Sequence, residues 1–265
     1  MQTFQYHKAA NAADAAKAVA GKEDARFLAG GQSLLATMKL RLAAPTDLVD
    51  LAGIAELAGI CMEGDAIVIG AMTRHVAVAE SKDVLAKIPA LAALAGGIGD
   101  RQVRNAGTLG GSIAHNDPAA CYPAALLGLG ATVRTNKRKI AADDYFKGMY
   151  ETALEPGELI MAVSFPIPEK SAYVKFKNPA SRFALVGVFV SKGPAGVRIA
   201  VTGSGSRGVF RAHKMEEALA KNWSADAIKS LHVPASALNA DIHASAEYRS
   251  HLITVIAGRA IAAAK

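Results

Sequence analysis

Two glycine-bearing segments hold the residues whose types and spacing could do chemistry. The first, Leu28-Ala29-Gly30-Gly31-Gln32-Ser33-Leu34-Leu35, runs from a short apolar strand into a glycine pair and a helix-like start. Glycines let a backbone approach a ligand closely and expose successive N–H groups, a natural seat for a pyrophosphate. Ser33 adds a hydroxyl donor. Taken alone, the same pattern is also an ordinary strand-to-helix turn. The second segment, from Gln102 to Pro118, concentrates Gly107, Thr108, Gly110, Gly111, Ser112, His115 and Asn116 between two apolar stretches. Its composition reads equally as a binding segment or as a long surface loop. One extended ligand could lie between the two segments, and a dinucleotide has the reach that a mononucleotide lacks.

A third segment, Gly203-Ser204-Gly205-Ser206-Arg207-Gly208, fits GxGxxG after a strand and before a helix. Its context fails: the following helix leads to another helix, not to the second parallel strand of a βαβ unit. A structural turn is the reading here. His115 and Asp117 lack a third metal ligand. Cys121 has no charged neighbour in sequence to lower its pKa, so it reads as a packing residue. No Gly-x-Ser-x-Gly elbow exists.

The elements that must position these residues follow from pattern. Asn11 is placed to cap a helix over Ala12–Val19. Arg26–Ala29 and Leu48–Leu51 are short strands. Ile60–Glu63 and Ala66–Gly70 form a hairpin turning at Gly64-Asp65. Thr73 is expected to cap a helix near Val76–Glu80, followed by one buried helix over Val84–Leu94 ending at Gly96-Gly97. From Gly99 to Pro123 regular periodicity disappears. A helix over Pro123–Leu129 and strands over Ala131–Thr135 and Gly157–Phe165 follow. Beyond a boundary near 168–172, strands over Ala172–Phe176, Ala184–Val190 and Val197–Thr202 suggest an antiparallel meander. Helices near Ala212–Lys221, Ala225–Leu231 and Ala246–Ala264 complete an α+β pattern.

Composition excludes several classes. Of the 265 residues 51% are hydrophobic, enough for a large core and against disorder. The net charge of +7 is scattered, and its densest run, Lys137-Arg138-Lys139, reads as a solvated turn, not a nucleic-acid footprint. Two cysteines, Cys61 and Cys121, cannot make a disulfide framework or hold an iron–sulfur cluster, which needs four thiolates. The first residues lack a basic n-region and an apolar h-region, so a cytoplasmic location is expected. No stretch reaches the about 18 apolar residues of a membrane span.

Taken together, the two glycine segments resemble those of the FAD-binding medium subunits of the molybdenum hydroxylases. That family includes the carbon monoxide dehydrogenase medium subunit and the FAD subunits of xanthine dehydrogenases and aldehyde oxidoreductases. The resemblance rests on Ala29 to Leu35, continued by Met38 to Ala43 and Pro45, and on Arg104-Asn105-x-Gly107-Thr108-Leu109-Gly110-Gly111-Ser112-Ile113-Ala114-His115-Asn116-Asp117-Pro118. Glu155-Pro156-Gly157-Glu158-Leu159 and Glu247-Tyr248-Arg249 add to it. It implies an FAD-binding domain of the vanillyl-alcohol-oxidase (PCMH) type over 1–170, with two subdomains split near 55–60. A small C-terminal α+β domain of the CO dehydrogenase flavoprotein type would cover 171–265.

Carried over residue by residue, the resemblance implies that Leu28, Ala29, Gly30, Gly31, Gln32, Ser33 and Leu34 hold the FAD pyrophosphate. Thr108, Gly110, Gly111, Ser112 and His115 would face it from the other side. Leu159 and Lys177 match positions near the flavin ring, and Phe183 falls where some relatives place a tyrosine. Relatives commonly carry an aspartate at Cys121 that hydrogen-bonds the AMP ribose. Losing such a bond costs roughly 1.5–3 kcal/mol, which implies FAD binding weaker by about ten- to a hundred-fold.

The family implies a relay with no catalytic side chains of its own. A large subunit with a molybdenum–pterin centre would oxidise the substrate. A small subunit with 2Fe-2S clusters would pass the electrons to FAD here, within a dimer of heterotrimers. The substrate (carbon monoxide, an aldehyde, a purine or an N-heterocycle) would be set by the large subunit. The alternative is a non-catalytic assembly subunit of the same complex with weak or no FAD binding. A stand-alone flavin oxidase would need a substrate pocket with a base, for which the sequence offers no candidate.

Overall fold

The computed structural model describes all 265 residues. The chain opens with β1 (Gln5–Lys8), α1 (Ala12–Val19), β2 (Ala25–Leu28), α2 (Leu34–Lys39) and β3 (Asp47–Asp50). The strands form a parallel sheet in the order β1-β3-β2. Asn11 caps α1 as expected, its Oδ1 accepting from the Asp14 N–H at 2.9 Å. Ala12, Ala15 and Val19 make the buried stripe of α1 and join Val49, Leu51 and Leu57 in a first apolar core.

The middle of the chain contains β4 (Ile60–Glu63), β5 (Ala66–Gly70), α3 (His75–Glu80), α4 (Lys82–Lys87), α5 (Pro89–Gly96), α6 (Arg101–Ala106), α7 (Leu109–His115) and α8 (Tyr122–Leu129). It continues with β6 (Thr132–Thr135), β7 (Lys139–Ala141), α9 (Ala142–Tyr145), β8 (Phe146–Gly148), β9 (Glu151–Thr152) and β10 (Ile160–Pro166). An antiparallel sheet in the order β4-β5-β10-β6-β7 carries these helices. The hairpin at Gly64 turns where expected, with φ +57.

Three expectations are corrected here. The single helix over Val84–Leu94 is two, because Ile88 precedes Pro89 and is pushed out of the helical region, to ψ 64. Thr73 does not cap α3: its Oγ1 bonds both backbone groups of Gly59 at 3.0 Å, and α3 starts after Arg74. The aperiodic stretch from Gly99 to Pro123 folds into α6 and α7. Both are short, and α6 buries no residue, so neither prints an apolar stripe on the sequence.

The last part comprises β11 (Lys170–Lys177), β12 (Ala184–Gly193), β13 (Gly196–Thr202), β14 (Phe210–Arg211), α10 (His213–Lys221) and α11 (Ala246–Ala263). The strands form the expected antiparallel meander. β12 is apolar without alternation because both its faces are covered. Val186, Val188 and Val190 meet α11, whereas Phe189 meets the core around α8. The helix expected over Ala225–Leu231 is only a 3-10 turn at Ala225–Ala227. Ile228 is the fully buried residue there, with polar Lys229, Ser230 and His232 following. No helix is long and apolar enough to cross a membrane.

Candidate functional site

β2 delivers Leu28 to the sheet end, and the chain reverses at Gly31, whose φ of +69 favours glycine. From Ala29 to Leu34 no backbone N–H finds an acceptor within the chain. Ser33 stands before α2 without making a side-chain cap bond, so its hydroxyl is also free. Backbone donors are obligatory bonding groups. Consecutive free donors around a left-handed glycine form a concave anion seat.

The second segment comes to this seat directly. A Cβ on Gly30 would lie 2.2 Å from the Ala106 carbonyl oxygen and 2.7 Å from the Gly107 Cα, so only glycine allows the contact. A Cβ on Gly111 would stand 3.3 Å from the Ala29 Cβ. Thr108 caps α7, its Oγ1 accepting from the Gly111 N–H at 3.1 Å. In a helix, Thr108, Gly111, Ser112 and His115 share one face. Gly110 is on the other: it is buried, its N–H donates to the Ala71 carbonyl at 2.8 Å, and a Cβ there would strike Ala71. Its glycine serves close packing of α7.

α7 ends at Asn116, which adopts φ 46 and donates through Nδ2 to the carbonyls of Gly148 and Glu151. That bond pins the β8–β9 turn beside α7 and sets the Tyr150 ring 5.1 Å from His115. His75 supports Gly107 from below: it is buried, its backbone N–H donates to the Gly107 carbonyl, and a Cβ on Gly107 would meet its Nε2 at 2.6 Å. Burial, helped by the charge of Arg104, pushes the His75 imidazole down to about 4.

The other expected residues are dispersed. Leu159 is buried in the first apolar core with Leu57 and Val19. Its neighbour Glu158 accepts from Arg138, Thr135 and the Glu155 N–H, which hold its carboxyl well below the usual carboxylate range. Lys137-Arg138-Lys139 is the expected turn, with Arg138 clamped onto Glu158. Lys177 is exposed at the end of β11, and Phe183 stands half out of the β11–β12 hairpin.

Cys121 does have a charged neighbour, contrary to the sequence reading. Lys175 Nζ lies 3.4 Å from its Sγ and donates to the Gly97 carbonyl at 2.9 Å. Tyr173 stands beside the same thiol; burial first, and Cys121 second, raise its phenol well above the ordinary value. Tyr173, Lys175 and Lys177 alternate along one face of β11, while Ala172, Val174 and Phe176 pack on the other. That two-residue period, readable in the sequence, sets the face of Lys175 but not its contact with Cys121. His75 and Tyr150 gave no signal, since their partners are distant in the chain.

Residues 2–168 match the model of the FAD binding domain in molybdopterin dehydrogenase. The chain belongs to that family. FAD is therefore its cofactor, and the free donors of the glycine cleft fit the pyrophosphate of such a dinucleotide. The carbon monoxide dehydrogenase medium chain of Afipia carboxidovorans is 36% identical over 99% of this chain and 97% of its own length. The nicotine 6-hydroxylase medium subunit of Paenarthrobacter nicotinovorans is 34% identical over 98% of this chain and 97% of its own. A crystal structure of a copper- and molybdenum-containing CO dehydrogenase superposes with a TM-score of 0.89 at 34% identity, covering 98% of this chain and 97% of that one. Quinoline 2-oxidoreductase from Pseudomonas putida superposes with a TM-score of 0.87 at 30% identity, covering 99% and 96%. The α+β architecture is that of these flavoprotein subunits, and the protein is a subunit of an oxidoreductase.

Proposed function

We propose that this chain is the FAD-binding electron-transfer subunit of a multi-subunit molybdenum hydroxylase. A small subunit with 2Fe-2S clusters would supply electrons and an external acceptor would take them. A large subunit with the molybdenum–pterin centre would act on the substrate. The full-length likeness to proteins called medium chains of such enzymes supports this assignment. So does the cysteine inventory, since two thiols cannot hold a 2Fe-2S cluster in this chain. The dimer of heterotrimers belongs to the same proposal. So does the division into an FAD-binding part over 1–170, split near 55–60, and a C-terminal part over 171–265. Separate sheets support that division, and so does an apolar core confined to the C-terminal part, although Phe189 and Ala200 also close the central core.

The observation that carries the reading is the contact of Gly30 with Ala106 and Gly107, which puts the free donors of Ala29 to Leu34 opposite Thr108, Gly111, Ser112 and His115. In this reading the backbone N–H groups and the Ser33 hydroxyl bind the pyrophosphate. Ser112 and His115 border the ribityl chain, and Lys177 and Phe183 lie toward the flavin ring. FAD supplies two-electron redox chemistry, and the protein supplies position and electrostatics. An ammonium from Lys177 near the ring favours an anionic reduced flavin, so Lys177→Ala is expected to lower the flavin potential.

The test is acid release of flavin from the purified chain and from its complex. Near-stoichiometric FAD is expected. No flavin in either preparation, even after incubation with excess FAD, would leave an assembly subunit as the better reading.

A further inference from the structure

Cys121 is buried immediately before α8, and its thiol is free, as is that of Cys61, exposed on β4. Three features converge on the Cys121 sulfur. The Lys175 ammonium lies 3.4 Å away and spends another donor on the Gly97 carbonyl at 2.9 Å. No carboxylate of the chain pairs with that ammonium. The Tyr173 hydroxyl stands beside the same sulfur, is fully buried, and has no oxygen or nitrogen acceptor. The start of α8 adds the positive end of a helix dipole.

Two strong donors thus share one poor acceptor, because sulfur accepts hydrogen bonds weakly. A buried hydroxyl without a partner is costly and calls for an explanation. A packing role for Cys121 accounts for its burial. It leaves the Lys175 ammonium without a counter-charge and the Tyr173 hydroxyl without an acceptor. An oxygen atom on Sγ would serve both. Thiols beside a lysine and at a helix start are also the ones that react as thiolates.

We propose that Cys121 is a site of reversible oxidation, converted by hydrogen peroxide to a sulfenic acid whose oxygen is held by Lys175 and Tyr173. The sulfur attacks one peroxide oxygen, so that an S–O bond forms as the O–O bond breaks. Sulfur gives up two electrons, and the released hydroxide takes the thiol proton and leaves as water. One thiol and one peroxide give one sulfenic acid and one water. A dithiol reverses the step, taking the oxygen away as water and closing to its own disulfide. Peroxide is close to water in size, and Gly97, which holds the Lys175 ammonium, lines a solvent-open space. The site rests on this cluster and not on the flavoprotein reading.

The experiment exposes the purified full chain to hydrogen peroxide for increasing times and quenches it in denaturant containing dimedone, which traps sulfenic acids. Peptide mass spectrometry then follows the adduct at each cysteine, with exposed Cys61 as the internal control. Cys121 is expected to form the adduct faster than Cys61 despite its burial, and dithiothreitol added before dimedone to abolish it. Lys175→Met is expected to slow the Cys121 reaction roughly tenfold and Tyr173→Phe about fivefold, with Cys61 unchanged. Lys175→Arg, which keeps the charge, restores most of the rate. A merely structural role for Lys175 predicts the opposite sign, since loosened packing exposes the thiol and speeds its oxidation. If Lys175→Met does not fold, Tyr173→Phe carries the comparison. An adduct at Cys61 without one at Cys121, variants as fast as wild type, or oxidation that dithiothreitol does not reverse overturns the proposal. A chain that forms the adduct and binds no FAD supports this site and counts against the flavoprotein reading alone.

Discussion

The loops Ala29–Leu34 and Gly203–Gly208 carry similar glycine content and opposite bonding. The second has the more regular spacing, yet half of its donors are spent inside the fold. Gly203 N–H donates to the Pro118 carbonyl, Ser206 N–H to Ala237 and Gly208 N–H to Gly205. Arg249 and Asn239 take its carbonyls, with Arg249 Nη1 2.8 Å from Gly203 O. A Cβ on Gly205 would lie 2.2 Å from the Gly208 oxygen, so that glycine closes the turn on itself. In the first loop the glycine instead admits another segment, and the donors stay free. Accounting for each N–H separates a ligand loop from a structural turn where glycine spacing does not.

The largest effect that would break this contrast is expected from Gly30→Ala. The added methyl overlaps the Ala106 carbonyl and must part the two segments. Loss of two or more charge-assisted bonds lowers FAD affinity by about a hundred-fold or more in a fluorescence titration. The equivalent Gly205→Ala is expected to lower the unfolding temperature and leave the FAD affinity of the folded fraction intact. Equal FAD loss in both would erase the distinction.

A second effect comes from the support under Gly107. His75 is buried neutral, with its pKa lowered from 6.5 to about 4. The unfolded chain therefore binds a proton that the folded one does not, between those two values. Stability is fully present above pH 6.5 and is lost as pH falls toward 4, by up to about 3 kcal/mol. Denaturant unfolding from pH 7 to 4 is expected to show this slope in wild type and to lose part of it in His75→Leu. An unchanged slope would remove His75 from the explanation.

Legibility in the sequence followed the range of the contacts. The strand-to-glycine step at Leu28–Gly31 is local and was readable, as were the Asn11 cap and the Gly64 turn. α6 and α7 were not, because short helices built around Gly107, Gly110 and Gly111 bury too little to show a period. The break at Ile88 was hidden because apolar residues continue on both sides of Pro89. Thr73 had the chemistry of a cap, and a tertiary bond to Gly59 took its hydroxyl. Lys175 and Cys121 meet only through the packing of β11 beside α5 and α8, which no local pattern announces. Arg249, part of the C-terminal motif, is a buried tie between α11 and the carbonyls of Leu185 and Gly203, with Asp241 as its counter-charge.

A smaller effect sharpens the site near Cys121. An aspartate there would meet the Lys175 ammonium, now 3.4 Å from sulfur. It would also restore the acceptor that the family resemblance implies for the AMP ribose. Cys121→Asp is expected to tighten FAD roughly tenfold. An unchanged dissociation constant would take residue 121 out of the cofactor site. The smallest effect is expected at the control loop. Ser206→Ala should leave FAD affinity unaltered, because its N–H already bonds the Ala237 carbonyl and its side chain has no part in the cleft.

The most direct measurement is amide hydrogen exchange by mass spectrometry, with and without saturating FAD, on peptides covering 28–35 and 203–208. FAD should slow exchange across Ala29 to Leu34 strongly, because those amides gain their first acceptors. The 203–208 peptide should exchange at the same rate in both states. Unprotected Ala29–Leu34 amides in a chain saturated with FAD would contradict the central claim that these donors hold the pyrophosphate.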